Sequence, residues 1–194
     1  MLRAQGQATR AEIARRLKLT PATITRLING LVERDLVRDG VELSGTSLPR
    51  EPGRPGIGVM LNPAGTNFLG VEIGVGIIRL ALIDLCADVA DSVELPVAKS
   101  ITPPQAVEIV IAHLNALECE GRYRSRIGGL GVTVPGLVNS DGHIVHLPIL
   151  GWRDVSLLDL IRAATKIPAY VENNANAAAF GSIYTQPAIA DSSF

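Results

Sequence analysis

Residues 171–181 read VENNANAAAFG: a carboxylate, Glu172, is followed by the amides Asn173, Asn174 and Asn176 before the run turns to alanine. Carboxylates accept hydrogen bonds and carboxamides both donate and accept them, so the cluster has the chemistry of a site for a hydroxyl-rich ligand. The competing reading is a helix start, because Asn favours the N-cap and Asn174 alone would serve that purpose. A second cluster lies near the N-terminus, where Thr20, Pro21, Ala22, Thr23, Thr25 and Arg26 present hydroxyls and a guanidinium within one short stretch. Such groups suit base edges in a DNA major groove. Arg54, in PGRPG, sits on a loop without bulky neighbours, where it can act as a minor-groove arm or as part of a plain linker. His143 and His146 in DGHIVHLP have no third ligand nearby and are read as loop histidines, so no metal site is expected. Cys86 and Cys119 lack CxxC spacing and are read as core thiols.

The elements that must carry these groups follow from caps and periodicity. Thr9 with Glu12 three residues on forms a capping-box pattern, and Ala11, Ile13, Ala14 and Leu17 then mark one face of a helix. After the turn LKLT, Thr20 is a second N-cap and Pro21 occupies the first helical position, where its missing N–H costs nothing. The predicted second helix is PATITRLINGLVERDL, with Ile24, Leu27, Ile28 and Leu31 inward and Thr23, Thr25 and Arg26 outward. This is the layout of a helix-turn-helix. A strand, a Gly/Ser/Pro loop and another strand follow, as in the wing of a winged helix.

Past residue 57 the character changes. FLGVEIGVG and IIRLALIDL read as adjacent strands, PQAVEIVIAHLNALECEG as an amphipathic helix and IGGLGVTVPGLV as a buried strand ending in a Pro-Gly turn. A short helix VSLLDLIRAATK, a strand IPAYVEN and a helix from about Asn174 complete an α/β unit. Trp152 is expected to pack behind its loop, the alternative being a stacking platform for a sugar ring.

The formal charge of −1 hides an asymmetry: residues 1–56 sum to +4 and the remainder to −5. A basic head on an acidic body implies that only the head meets a polyanion. No apolar run approaches the roughly 20 residues of a membrane span, and the N-terminus lacks a signal-peptide stretch, so the expected location is cytoplasmic.

The order of a winged helix, GRPG, GVEIGVG, VTVPGLV, GW and ENNANAAAFG resembles the ROK family of repressors and sugar kinases. The resemblance implies an α+β winged helix-turn-helix over residues 1–56, followed over 57–194 by α/β structure: a partial ROK lobe of the actin-like, ribonuclease-H-like ATPase fold. In ROK sugar kinases the motif resembles E-N-D-A-N, whose Asp takes the proton from the attacking sugar hydroxyl. Asn174 stands there in this chain, and an amide is no base near neutral pH. The kinase phosphate turn D-x-G-G-T is replaced by Glu72-Ile73-Gly74-Val75-Gly76, where Val75 adds bulk and Gly76 offers no hydroxyl. Two losses in two nucleotide motifs argue against phosphoryl transfer, while Thr133, Gly136, Glu172, Asn173 and Asn174 retain what sugar binding requires.

The resemblance therefore implies a non-enzymatic, DNA-binding transcriptional regulator of sugar metabolism. Its expected partners are double-stranded operator DNA, a sugar or sugar-phosphate effector and a second copy of the chain. Full-length relatives often carry a structural zinc in their second half, and no cofactor is expected here. The alternatives are a ROK sugar kinase bearing a helix-turn-helix, or a truncated remnant.

Overall fold

The computed structural model describes residues 2–42, 57–119 and 127–185. The chain divides into two compact units, residues 1–65 and 66–194. The division falls after Gly65 rather than after residue 56, because the strand at 57–61 is built into the sheet of the first unit.

That first unit runs α1 (Leu2–Gln5), β1 (Gln7–Thr9), α2 (Arg10–Leu17), α3 (Pro21–Glu33), β2 (Val37–Glu42) and β3 (Ile57–Leu61). The Thr9 capping box is present: the Glu12 N–H donates to Thr9 Oγ1 at 3.1 Å and the Thr9 N–H to Glu12 Oε2 at 2.8 Å. Lys18 in the left-handed region ends α2, and its N–H donates back to the Ala14 and Arg15 carbonyls. The α3 helix stops at Glu33, short of the predicted end, because Asp35 takes a left-handed backbone while the Leu36 N–H returns to the Leu31 carbonyl. A three-stranded antiparallel sheet in the order β1-β3-β2 closes the unit. Ile13, Ala14, Ile24, Ile28, Val37 and Val59 form its core. Two predicted inward positions are corrected, since Leu17 and Leu27 are 56% and 47% exposed. Ala11 is exposed as well.

The second unit runs β4 (Asn67–Gly74), β5 (Ile77–Asp84), β6 (Val89–Pro96), α4 (Pro103–Cys119), β7 (Ile127–Val134), β8 (Leu137–Val138), β9 (Ile144–Leu147), β10 (Trp152–Val155), α5 (Leu157–Ala164), β11 (Ala169–Asn173) and α6 (Asn174–Thr185). Its main sheet has the order β11-β7-β4-β5-β6, an antiparallel meander of β4, β5 and β6 joined to parallel β7 and β11. Alternate residues, such as Leu69, Val71 and Ile73 on β4 and Leu130, Val132 and Val134 on β7, share one core with Val107, Val110 and Leu114 of α4 and with Leu157 and Ile161 of α5. The small antiparallel sheet β10-β9-β8 adds Ile144, Leu147 and Trp152 to that core. Trp152 is 4% exposed and its indole N–H donates to the Ile101 carbonyl at 2.9 Å, so it is a packing residue and presents no face to a ligand. The core assignment of the cysteines is overturned: Cys119, at the end of α4, is exposed, and half-buried Cys86 lies in the turn after β5.

Candidate functional site

In the head, Thr20 caps α3, its Oγ1 accepting from the Thr23 N–H at 3.2 Å. The two hydroxyls are also hydrogen-bonded to each other at 2.9 Å, so Thr20 and Thr23 act as one fixed pair at the helix start. Pro21, Ala22, Thr25 and Arg26 are exposed on the first two turns. An N-terminal helical turn carrying these groups, stabilised by its own cap and propped on α2, is what a recognition helix presents to a groove. Arg54 lies outside the described residues.

In the body, β4, β7 and β11 run parallel, and register places Glu72, Thr133 and Glu172 side by side in one row across them. The row lies near the carboxyl ends of the strands, where open α/β sheets bind ligands. The opposite sheet face is the core, so these side chains stand on the uncovered face. There a hollow of about 770 Å³ is lined by Glu72, Arg79, Thr133, Glu172 and Phe180, among others. Gly136, Asn173 and Asn174 do not line it.

Four of the five predicted ligand residues have structural work as well. Thr133 Oγ1 donates to the Val71 carbonyl at 3.2 Å, joining β7 to β4. The Glu172 carboxylate accepts from the Asn173 N–H and from Asn176 Nδ2. Asn173, rather than Asn174, caps α6: its Oδ1 accepts from the Ala175 and Asn176 N–H groups at 2.8 and 3.2 Å. Its Nδ2 donates to the Gly136 carbonyl at 2.7 Å, tying the loop after β7 to the helix start. Gly136 is required by packing, because a Cβ there would stand 2.9 Å from the His146 carbonyl oxygen and 2.8 Å from Leu147 Cδ1. Half-buried Asn174 makes no side-chain hydrogen bond to any described residue.

Sequence reasoning missed Arg79. Its Nη1 donates to Glu72 at 3.1 Å and its Nε to Glu94 at 2.8 Å, and the two carboxylates raise its pKa. Glu72, just before the Val75-Gly76 turn, is thus paired with a guanidinium from the neighbouring strand. The signal was the two-residue Val75-Gly76 turn, which sets the β4–β5 register and places Glu72 opposite Arg79. His143 bridges Asp154 and Ser156 through its two nitrogens, at 2.7 and 3.1 Å, and His146 meets Arg153 at 3.2 Å. Among the described residues no group of three or more His, Cys, Asp or Glu side chains comes together, and no helix is long and apolar enough to cross a membrane.

A capped helix-turn-helix with a small sheet behind it, followed by a meander extended by two parallel strands, defines the class: a winged helix-turn-helix type of head followed by an α/β lobe. Residues 68–190 match the ROK family and residues 1–40 match the IclR helix-turn-helix domain, and the chain belongs to the ROK family. It is 27% identical over 175 residues to the xylose repressor of Bacillus subtilis (strain 168), covering 89% of this chain and 44% of that protein. It is 31% identical over 120 residues to a glucokinase of Halalkalibacterium halodurans, covering 60% of this chain and 36% of the enzyme. The crystal structure of a ROK family transcriptional regulator, a homologue of the E. coli MLC protein, superposes with a TM-score of 0.71 at 24% identity, covering 93% of this chain and 46% of that one. The repressor and regulator matches extend through the head, whereas the glucokinase match is confined to 60% of the chain. The chain spans less than half the length of these relatives.

Proposed function

We propose that this chain is the operator-binding head and first ligand-binding lobe of a sugar-responsive transcriptional repressor, acting as a homodimer and without kinase activity. The observation that carries the reading is α3: a recognition-type helix whose start is locked by the Thr20–Thr23 pair and whose exposed residues include Ala22, Thr25 and Arg26. Two features of the lobe support a binding rather than a catalytic role. The position of the kinase base is the amide of Asn174, and Glu72 is engaged by Arg79 instead of standing free beside a phosphate turn. Thr133, Glu172, Asn173 and Asn174 are the residues of this lobe assigned to sugar hydroxyls, with the Gly136 loop held in place by Asn173. A sugar changes operator affinity only by its difference in affinity for two states of the dimer.

The test is a salt-titrated binding assay of the purified chain against its own upstream DNA and a scrambled control, with and without a panel of sugars. Preference for the upstream duplex, with an affinity that falls steeply with salt and changes with one sugar, is the expected result. Equal weak binding to both duplexes, unaffected by every sugar, refutes the proposal.

A further inference from the structure

Three elements of the head, α2, α3 and β2, meet at one guanidinium. Arg10 is the first residue of α2, where a positive charge opposes the helix dipole, so nothing within α2 accounts for it. Its Nη2 donates to Asn29 Oδ1 on α3 at 2.9 Å and, by a short contact, to Asp39 Oδ2 on β2. The Arg10 and Asp39 side chains are 30% and 26% exposed, so the pair is partly shielded from solvent. Asn29 is exposed. It follows Arg26 by three residues and Thr25 by four, and therefore extends their outward face by one turn.

Resting on the DNA-binding reading above, we propose that Asn29 reads a base edge as a hydrogen-bond donor, and that Arg10 and Asp39 are its positioning residues. The chemistry fixes the amide's orientation, since a guanidinium only donates and the group facing it must be the amide oxygen. The Asn29 NH2 is then turned away from Arg10. With an oxygen lone pair already committed to Arg10, the amide is poorly suited to the two-point pairing with adenine that needs both its groups. It suits a single keto acceptor instead, the O6 of guanine or the O4 of thymine. Asp39 neutralises Arg10 and holds it off the phosphates, so that the arginine serves orientation rather than affinity.

The experiment selects binding sites from a randomised duplex pool with the full chain, its Asn29→Ala, Arg10→Ala and Arg10→Lys variants and the Asn29→Ala/Arg10→Ala double variant. Salt dependence of binding and the far-ultraviolet circular dichroism of each are recorded. The parent is expected to select a motif in which one position prefers guanine or thymine. Asn29→Ala should flatten that position about five- to tenfold, leaving the rest of the motif and the salt slope intact. Arg10→Ala should flatten the same position, the double variant no further, and Arg10→Lys should keep part of the preference. An Asn29→Ala variant that selects the parent motif with affinity within about twofold, or changes only the salt slope by about one, overturns the inference while leaving the DNA-binding reading intact. If Arg10→Ala loses its helical signal, the exposed Asn29→Ala variant alone decides. A parent that selects no motif refutes the DNA-binding reading, and the inference falls with it.

Discussion

Replacing Asn173 by alanine removes three hydrogen bonds at one stroke, and the magnitude can be assembled from the two roles of its amide. The Oδ1 cap over the Ala175 and Asn176 N–H groups is worth about 1 kcal/mol, as is typical of an Asn-to-Ala change at an N-cap. The Nδ2 bond to the Gly136 carbonyl is part-buried, and its loss costs about 1 kcal/mol more. The expected destabilisation of the lobe is therefore about 2 kcal/mol. Asn173→Asp keeps the acceptor and adds a charge that suits the helix start, but it removes the donor and sets a carboxylate against both the Gly136 carbonyl and Glu172. Its expected cost is about 1 kcal/mol. Asn174→Ala removes no hydrogen bond to a described residue and places a better helix former in the first turn, so it should stay within about 0.5 kcal/mol of the parent. The chain has a single tryptophan, and buried Trp152 belongs to the lobe core. Its fluorescence during urea unfolding thus reports the lobe without interference from the head. With slopes of about 1–3 kcal/mol per molar urea, the Asn173→Ala midpoint should fall by roughly 1 M. If Asn174→Ala costs as much as Asn173→Ala, the assignment of the cap is wrong.

Gly65→Ala should destabilise the head by roughly 1–3 kcal/mol or more, because the added Cβ would stand 2.2 Å from the Asp35 carbonyl oxygen, which is backbone and cannot swing aside; a thermal melt checks this. The Thr9 N–H holds the Glu12 carboxyl below its ordinary pKa of 4.5, although partial burial opposes the shift. Its contribution to head stability is consequently complete above that value and is lost as the pH falls from there through the lower folded pKa. Glu12→Gln should weaken this pH dependence, and a head melt that keeps the full acid transition in the variant would refute the assignment. Asn174→Asp should yield no ATP-dependent sugar phosphorylation in a coupled assay, since Val75, Gly76 and the Arg79–Glu72 pair remain unchanged. The exposed pair itself should matter little to folding, so the Arg79→Ala midpoint in a urea titration should coincide with that of the parent.

Local signals in the sequence were reliable where chemistry is local. The capping box at Thr9, the Thr20–Pro21 start and the strand pairs around Val75-Gly76 and along the parallel core all stand where residue type and period put them. The misses have long-range causes. The strand β1 is only three residues, QAT, and exists because Ala8 pairs with Val59 fifty-one positions on. The strand β6, VADSVELP, carries Ser92 and Glu94 on its solvent face, and Asp91 interrupts the inner face, so that Val93 and Leu95 form too short an apolar series to announce a strand. Leu27 was assigned inward by helical period, but the narrow core stripe of a two-helix head is already filled by Ile24, Ile28 and partly buried Leu31. At the candidate ligand site, residue types were legible while their division of labour was not. Which of two adjacent asparagines caps α6 depends on the one at which the strand ends, and Arg79 joins the site only through a neighbouring strand.

The strand order of the head has a consequence for its synthesis. In β1-β3-β2 the central strand is the last to be made, so neither outer strand has a partner until residues 57–61 emerge from the ribosome. At translation rates of about 5–20 residues per second, the helices α2 and α3 spend on the order of seconds attached to two unpaired strands. Closure then joins Gln7 to Met60, a pairing of high sequence separation that follows the local helix contacts in time. The nascent head therefore reaches its sheet in a single late step, just as the first strand of the lobe begins to follow it out.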